Sequence, residues 1–147
     1  MELKGILFAA LLIMAAVFDL RRREIPNAIP VLILIAGLWG IKPIPAVLGL
    51  VITGVPYLSA ALLFRRREGF AIGGGDIKLM AACGFVLGAW GGIFQSIISL
   101  TLALIAGLII CLFSKGKKLN TITLPLAPFF CAGGIFSYCA LVLTAKN

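Results

Sequence analysis

The chain has 147 residues, of which 62% are hydrophobic and 12% charged, with a mean hydropathy of +1.17. Soluble domains run at roughly 45–50% apolar and about 25% charged, so a soluble globular protein is excluded. The net charge is +8, but the basic residues flank apolar runs and no aromatics interleave with them, which argues against a nucleic-acid partner.

Uncharged runs cover residues 5–18, 25–41, 43–64, 79–114 and 119–145. Span one is expected over about 3–20; its uncharged part reaches ~21 Å at ~1.5 Å per residue. Its strongest positive cluster follows the apolar run and no A-x-A site is present, so it reads as a retained span rather than a cleaved signal. Span two is expected over 28–41, with Pro26 and Pro30 near its start, and Lys42, Pro43 and Pro45 then form a turn. Span three covers 46–64 and ends at Arg65, Arg66 and Arg67.

The uncharged stretch from Leu79 to Ser114 is too long for one crossing of a ~30 Å core, so it folds back once. The natural break is Gly88, Ala89, Trp90, Gly91 and Gly92. That gives span four over 70–88 and span five over 93–113; Pro125 and Pro128 lead into span six over 129–144. The fold class is therefore an all-α integral membrane protein with six transmembrane helices in one domain over residues 1–147, embedded in the lipid bilayer. The loops after spans one, three and five carry nine Lys and Arg, against Lys4, Lys42 and Lys146 on the other side, so both termini are expected to face away from the cytoplasm.

Arg-Arg-Arg-Glu occurs at 21–24 and again at 65–68 in unrelated surroundings, and reads as two cytoplasmic anchors. With no histidine in the chain, serine–histidine hydrolysis and HExxH zinc sites are excluded. Cys83, Cys111, Cys131 and Cys139 form no CxxC pair, lie in apolar runs and read as packing residues.

Ionisable groups at membrane depth point to function. Three qualify: Asp19, Asp76 and Lys78. By the topology above, Asp19 lies at the cytoplasmic end of span one and Asp76 at the cytoplasmic start of span four, so two carboxylates share one depth. Gly73, Gly74 and Gly75 directly precede Asp76 and point to irregular backbone beside a wet pocket, which a substrate's backbone can approach closely. Two adjacent carboxyl groups can share a proton, one ionised to activate water and the other neutral to protonate a carbonyl oxygen. This chemistry needs no cofactor and no metal.

Asp19-Leu-Arg-Arg-Arg-Glu-Ile25-Pro26-Asn27, then Gly73-Gly74-Gly75-Asp76-Ile77-Lys78-Leu79, then Pro125-Leu126-Ala127-Pro128-Phe129, resembles the type IV prepilin peptidases, which are GxGD membrane aspartyl proteases. The resemblance covers most of the chain. It implies a GxGD-type helix bundle in a bacterial inner membrane, cleaving the short basic leader of prepilin or pseudopilin substrates at the cytoplasmic face, with Asp19 and Asp76 as the catalytic pair. Larger relatives carry a cysteine-containing cytoplasmic domain and also methylate; the lack of CxxC and of a long cytoplasmic loop here implies a peptidase-only form.

Helix dipoles favour the anion at Asp76, at a helix N-terminus, over Asp19, near a C-terminus, which makes Asp76 the expected base. Lys78 either meets an acidic substrate side chain or snorkels to the interface. Pro26 and Asn27 shape the turn into span two, with Asn27 able to cap it. Trp39, Trp90, Tyr57 and Tyr138 read as interface anchors or packing. Two rival readings remain: a non-enzymatic small membrane subunit or ion carrier that uses Asp19, Asp76 and Lys78 as a charge pathway, and a serine–lysine peptidase with Lys78 as base and Ser59, Ser96 or Ser99 as the hydroxyl.

Overall fold

The computed structural model describes residues 2–40, 42–63, 73–113 and 124–144. Within them the chain forms α1 (Glu2–Arg22), α2 (Ala28–Leu38), α3 (Pro43–Leu63), α4 (Gly74–Phe113) and α5 (Ala127–Thr144). Among the described residues there is no strand. Four of these helices, all but α2, are long and apolar enough to cross a membrane. Their outer surfaces carry large apolar side chains such as Leu63, Leu112 and Phe113, which a lipid solvent accommodates and water does not. The anchors Arg65 to Arg67, the Lys115 to Lys118 cluster and the second Arg-Arg-Arg-Glu copy lie outside the described residues.

The expected fold-back within the long apolar stretch falls at Gly88, where φ is 73° and ψ −179°, a conformation open to glycine and to almost nothing else. Residues 74–87 and 89–113 are therefore two arms. A Cβ placed on Gly92 would lie 3.3 Å from the Gly84 Cα. In a continuous helix these positions would be ~12 Å apart, so the arms turn sharply back on each other.

Four boundaries differ from the sequence reading. α2 stops at Leu38 rather than residue 41, because Trp39 is extended and Gly40 has a φ of 64°; at 11 residues it is ~16 Å long. Pro43 and Pro45 open α3, and Pro128 sits in the first turn of α5, instead of making loops. A proline there gives up an N–H that has no intrahelical partner anyway. Gly74 and Gly75, expected as irregular backbone, form the first turn of α4, and Gly73 alone of the three precedes the helix.

Small residues let α3 and α4 touch. A Cβ on Gly49 would run into the Gly84 carbonyl, and one on Gly84 into Thr53 Oγ1. Thr53 Oγ1 lies 2.9 Å from both Gly49 O and Met80 O. The two helices run antiparallel in a constant register, with Pro45 against Gly88, Gly49 against Gly84 and Thr53 against Met80. The second arm of α4 packs on α5 in the same way: Ser137 Oγ donates to Gly91 O at 2.7 Å, and Gln95 Nε2 to Phe130 O at 3.0 Å. Phe8, Leu12, Ile33, Leu79, Met80 and Phe130 form the fully buried centre.

Candidate active site

Asp19 lies one turn before the end of α1, and this 7%-exposed carboxylate points inward. α1 terminates just beyond it, where Arg23 takes a positive φ of 53° and donates its N–H to Asp19 O at 2.9 Å, a helix-ending geometry. Asp76 lies in the first turn of α4, held there by N–H bonds from Asp76 and Ile77 to Gly73 O at 3.0 and 3.3 Å. The antiparallel packing brings both to one end of the bundle. They line a single open cavity of about 340 Å³, together with Arg23, Glu24, Ile25 and Gly73 to Gly75.

The carboxylates differ in their hydrogen bonds. The backbone N–H of Ala127, in the first turn of α5, donates to Asp19 Oδ2 at 2.9 Å. Asp76 Oδ1 is buried with no donor. This arrangement removes the dipole contrast read from the sequence. Asp19 is near the C-terminus of its own helix, but its carboxylate meets the positive N-terminal end of α5, so both aspartates sit at positive helix ends. Sequence spacing could not reveal this, because the donor comes from 108 residues away. The Pro125-Leu126-Ala127-Pro128 segment was visible, yet nothing in it named its partner.

The glycines before Asp76 have different surroundings. A Cβ on Gly73 would stand 3.1 Å from Asp76 Oδ2, and one on Gly75 3.0 Å from the Ile25 Cβ, whereas one on Gly74 would meet nothing within 4 Å. Gly73 and Gly75 thus keep room for the carboxylate and for the turn after α1.

Lys78 is exposed, and its Nζ donates to Asn27 Oδ1 at 2.8 Å. The expected cap by Asn27 does not form: the residue sits at the N-cap position with helical φ and ψ and makes no side-chain cap bond. Its oxygen is turned to Lys78 instead. Pro26 contributes as expected to the turn, its carbonyl accepting the Ile29 N–H at 3.0 Å. The serines considered for a serine–lysine site are bound or buried elsewhere: Ser59 Oγ donates to Pro56 O, Ser96 Oγ to Gly92 O, and Ser99 is fully buried.

Tyr57 was read as an anchor or packing residue, and it packs. It is 6% exposed, with its ring edge-on to Phe130 at 5.7 Å.

Comparison with known proteins places the chain beside leader peptidases. The model of the type IV leader peptidase family matches residues 6–114. The prepilin leader peptidase/N-methyltransferase of Bacillus subtilis (strain 168) is 33% identical over 137 residues, which cover 91% of this chain and 54% of that protein. The chain thus spans about half the length of that curated relative. No solved structure matches it.

Proposed function

Since the chain belongs to the type IV leader peptidase family, we propose that it is a membrane aspartyl endopeptidase that removes the short basic leader from prepilin-like proteins, with Asp19 and Asp76 as the catalytic pair. The observation that carries this reading is the shared cavity: two carboxylates from separate helices open onto one space of about 340 Å³ at one end of an apolar bundle. Acid chemistry with paired carboxyl groups requires that juxtaposition and little else.

In this mechanism Asp19 is the base. Ala127 engages one of its oxygens and leaves the other for water. The water oxygen attacks the scissile carbonyl carbon while its proton passes to Asp19, and Asp76, entering neutral, gives its proton to the carbonyl oxygen. When the C–N bond breaks, the proton on Asp19 moves to the leaving nitrogen, and the collapsing diol returns a proton to Asp76. Both groups end as they began.

The six crossings are α1, α2 with the turn that follows it, α3, the two arms of α4, and α5. Arg21, Arg22 and Arg23 mark the aspartate end as cytoplasmic, while Lys4 and Lys42 sit at the other end with Gly88. Both termini then face outward from a bacterial inner membrane. Lys78, exposed and bonded to Asn27 two residues past Asp76, is the cation offered to an acidic group of the incoming substrate.

Asp19→Asn and Asp76→Asn, each assayed with a prepilin-type substrate in membranes, test the reading. Each alone should stop cleavage while the protein still accumulates. Full processing by either variant would remove the pair from the chemistry.

A further inference from the structure

At the end of the bundle opposite the aspartates lies a larger cavity, of about 670 Å³, within the ~300–1,000 Å³ range of small-molecule sites. Lys4 on its wall stands ~22 Å along α1 from Asp19, at ~1.5 Å per residue. Every helix contributes to it: Lys4 from the start of α1, Trp39 just past α2, Lys42 just before α3, Val86 from α4 beside the Gly88 reversal, and Leu141 from the last turn of α5.

The wall combines two chemistries. Lys4 Nζ donates to Gly37 O at 3.2 Å and to Trp39 O at 3.1 Å, so the half-buried ammonium is fixed in place with one of its three N–H groups left over. Lys42 lines the same space, and the two lysines also share a smaller adjoining cavity of about 210 Å³. Closing the end of α2 explains the two Lys4 bonds, but it does not explain a second lysine on the same wall. Away from the cations the lining is apolar, with Val86 and Leu141. Tyr138 packs on α1 so closely that a Cβ at Gly5 would run into its ring, and Trp39 is 72% exposed. Tryptophan and tyrosine settle at the headgroup level of a bilayer, which puts the two lysines at phosphate depth. A soluble anion would need the cations and not the apolar wall, and a neutral lipid the wall and not the cations.

We propose that this cavity holds one anionic phospholipid, its phosphate against the Lys4 and Lys42 ammonium groups and an acyl chain along Val86 and Leu141. Lys4 then serves twice, closing α2 and offering a preset charge, so little side-chain freedom is lost when the lipid arrives. The inference needs a bundle in a bilayer and is independent of the chemistry at Asp19 and Asp76.

The test uses the full chain with Trp90→Phe, which leaves Trp39 as the single tryptophan reporter, in phosphatidylcholine nanodiscs. Phosphatidylglycerol brominated in its acyl chains, which quenches tryptophan on contact, is compared with brominated phosphatidylcholine over a series of mole fractions. Trp39 should favour phosphatidylglycerol by about 5- to 30-fold, the range that one or two lysines near a membrane surface supply. Lys42→Gln alone, at an exposed position, should cut the preference by about fivefold, and Lys4→Gln with Lys42→Gln should abolish it, glutamine keeping an N–H donor for the end of α2. Arg21→Gln with Arg22→Gln removes the same charge from the other end of α1 and should leave the preference intact. Equal quenching by the two lipids, a preference that survives loss of both lysines, or one that falls equally in the arginine control would each overturn the site. Loss of the preference on adding inorganic phosphate at constant ionic strength would assign the cavity to a soluble anion and overturn the lipid.

Discussion

The Ala127 N–H donates to Asp19 Oδ2 at 2.9 Å, so the carboxylate near the end of α1 also closes the start of α5. Such a bond does two jobs: it occupies one of the unpaired N–H groups at a helix N-terminus, and it orients a carboxylate that faces the cavity. The jobs are separable by mutation. Asp19→Asn keeps an oxygen for Ala127 and loses the charge, so it should fold normally and lose cleavage. Asp19→Ala loses both and should also be destabilised by about 1–2 kcal/mol, read as a lower thermal midpoint.

Glycines of the same apparent class should respond differently to alanine. Gly84→Ala pushes a methyl group against Thr53 and the Gly49 carbonyl and should cost about 1–3 kcal/mol through overpacking. Gly88→Ala has room, with Pro45 at 3.6 Å, but must hold a φ of 73°, which should cost about 1–3 kcal/mol as backbone strain. Gly74→Ala meets nothing within 4 Å in a helical first turn and should leave stability unchanged or raise it by up to ~1 kcal/mol. Thermal unfolding of the three variants in one detergent checks the order.

Thr53→Val keeps the shape of the side chain and removes its hydroxyl from between Gly49 O and Met80 O. Interhelical bonds of this kind in membrane bundles average ~0.6 kcal/mol and reach ~1.7, and the loss should fall in that range. A value near zero in a denaturation series would mean that helix contact alone sets the α3–α4 register.

Lys78 and Asn27 meet at an exposed position, so their bond should add little to folding. A double-mutant cycle of Lys78→Met with Asn27→Ala is expected to give a coupling under about 1 kcal/mol. In catalysis the expected effect of Lys78→Met is a KM raised about 10-fold with kcat within about twofold, the signature of lost substrate binding. A fall in kcat at constant KM would assign Lys78 to the chemistry instead.

Much of the architecture was legible because lipid imposes simple rules. Apolar runs broken by Arg and Lys announced the helices, and an apolar stretch too long for one crossing required the reversal that Gly88 makes. Boundaries were less legible. Pro43, Pro45 and Pro128 look like loop residues, but a helix start does not use the N–H that proline lacks. Gly74 and Gly75 look like broken helix, but their lack of side chains does not prevent helical backbone, and at Gly75 it makes room for Ile25.

Composition and spacing by themselves determined an apolar all-helical chain and the reversal near Gly88, and picked Asp19 and Asp76 from a chain with few acidic groups, because hydropathy and ionisable side chains are properties of the residues alone. Only the tertiary structure decided that α5 donates an N–H to Asp19 and that Asn27 turns to Lys78 rather than capping its own helix. Those outcomes depend on which helices lie side by side and in what register, which packing between distant segments settles and local sequence does not encode.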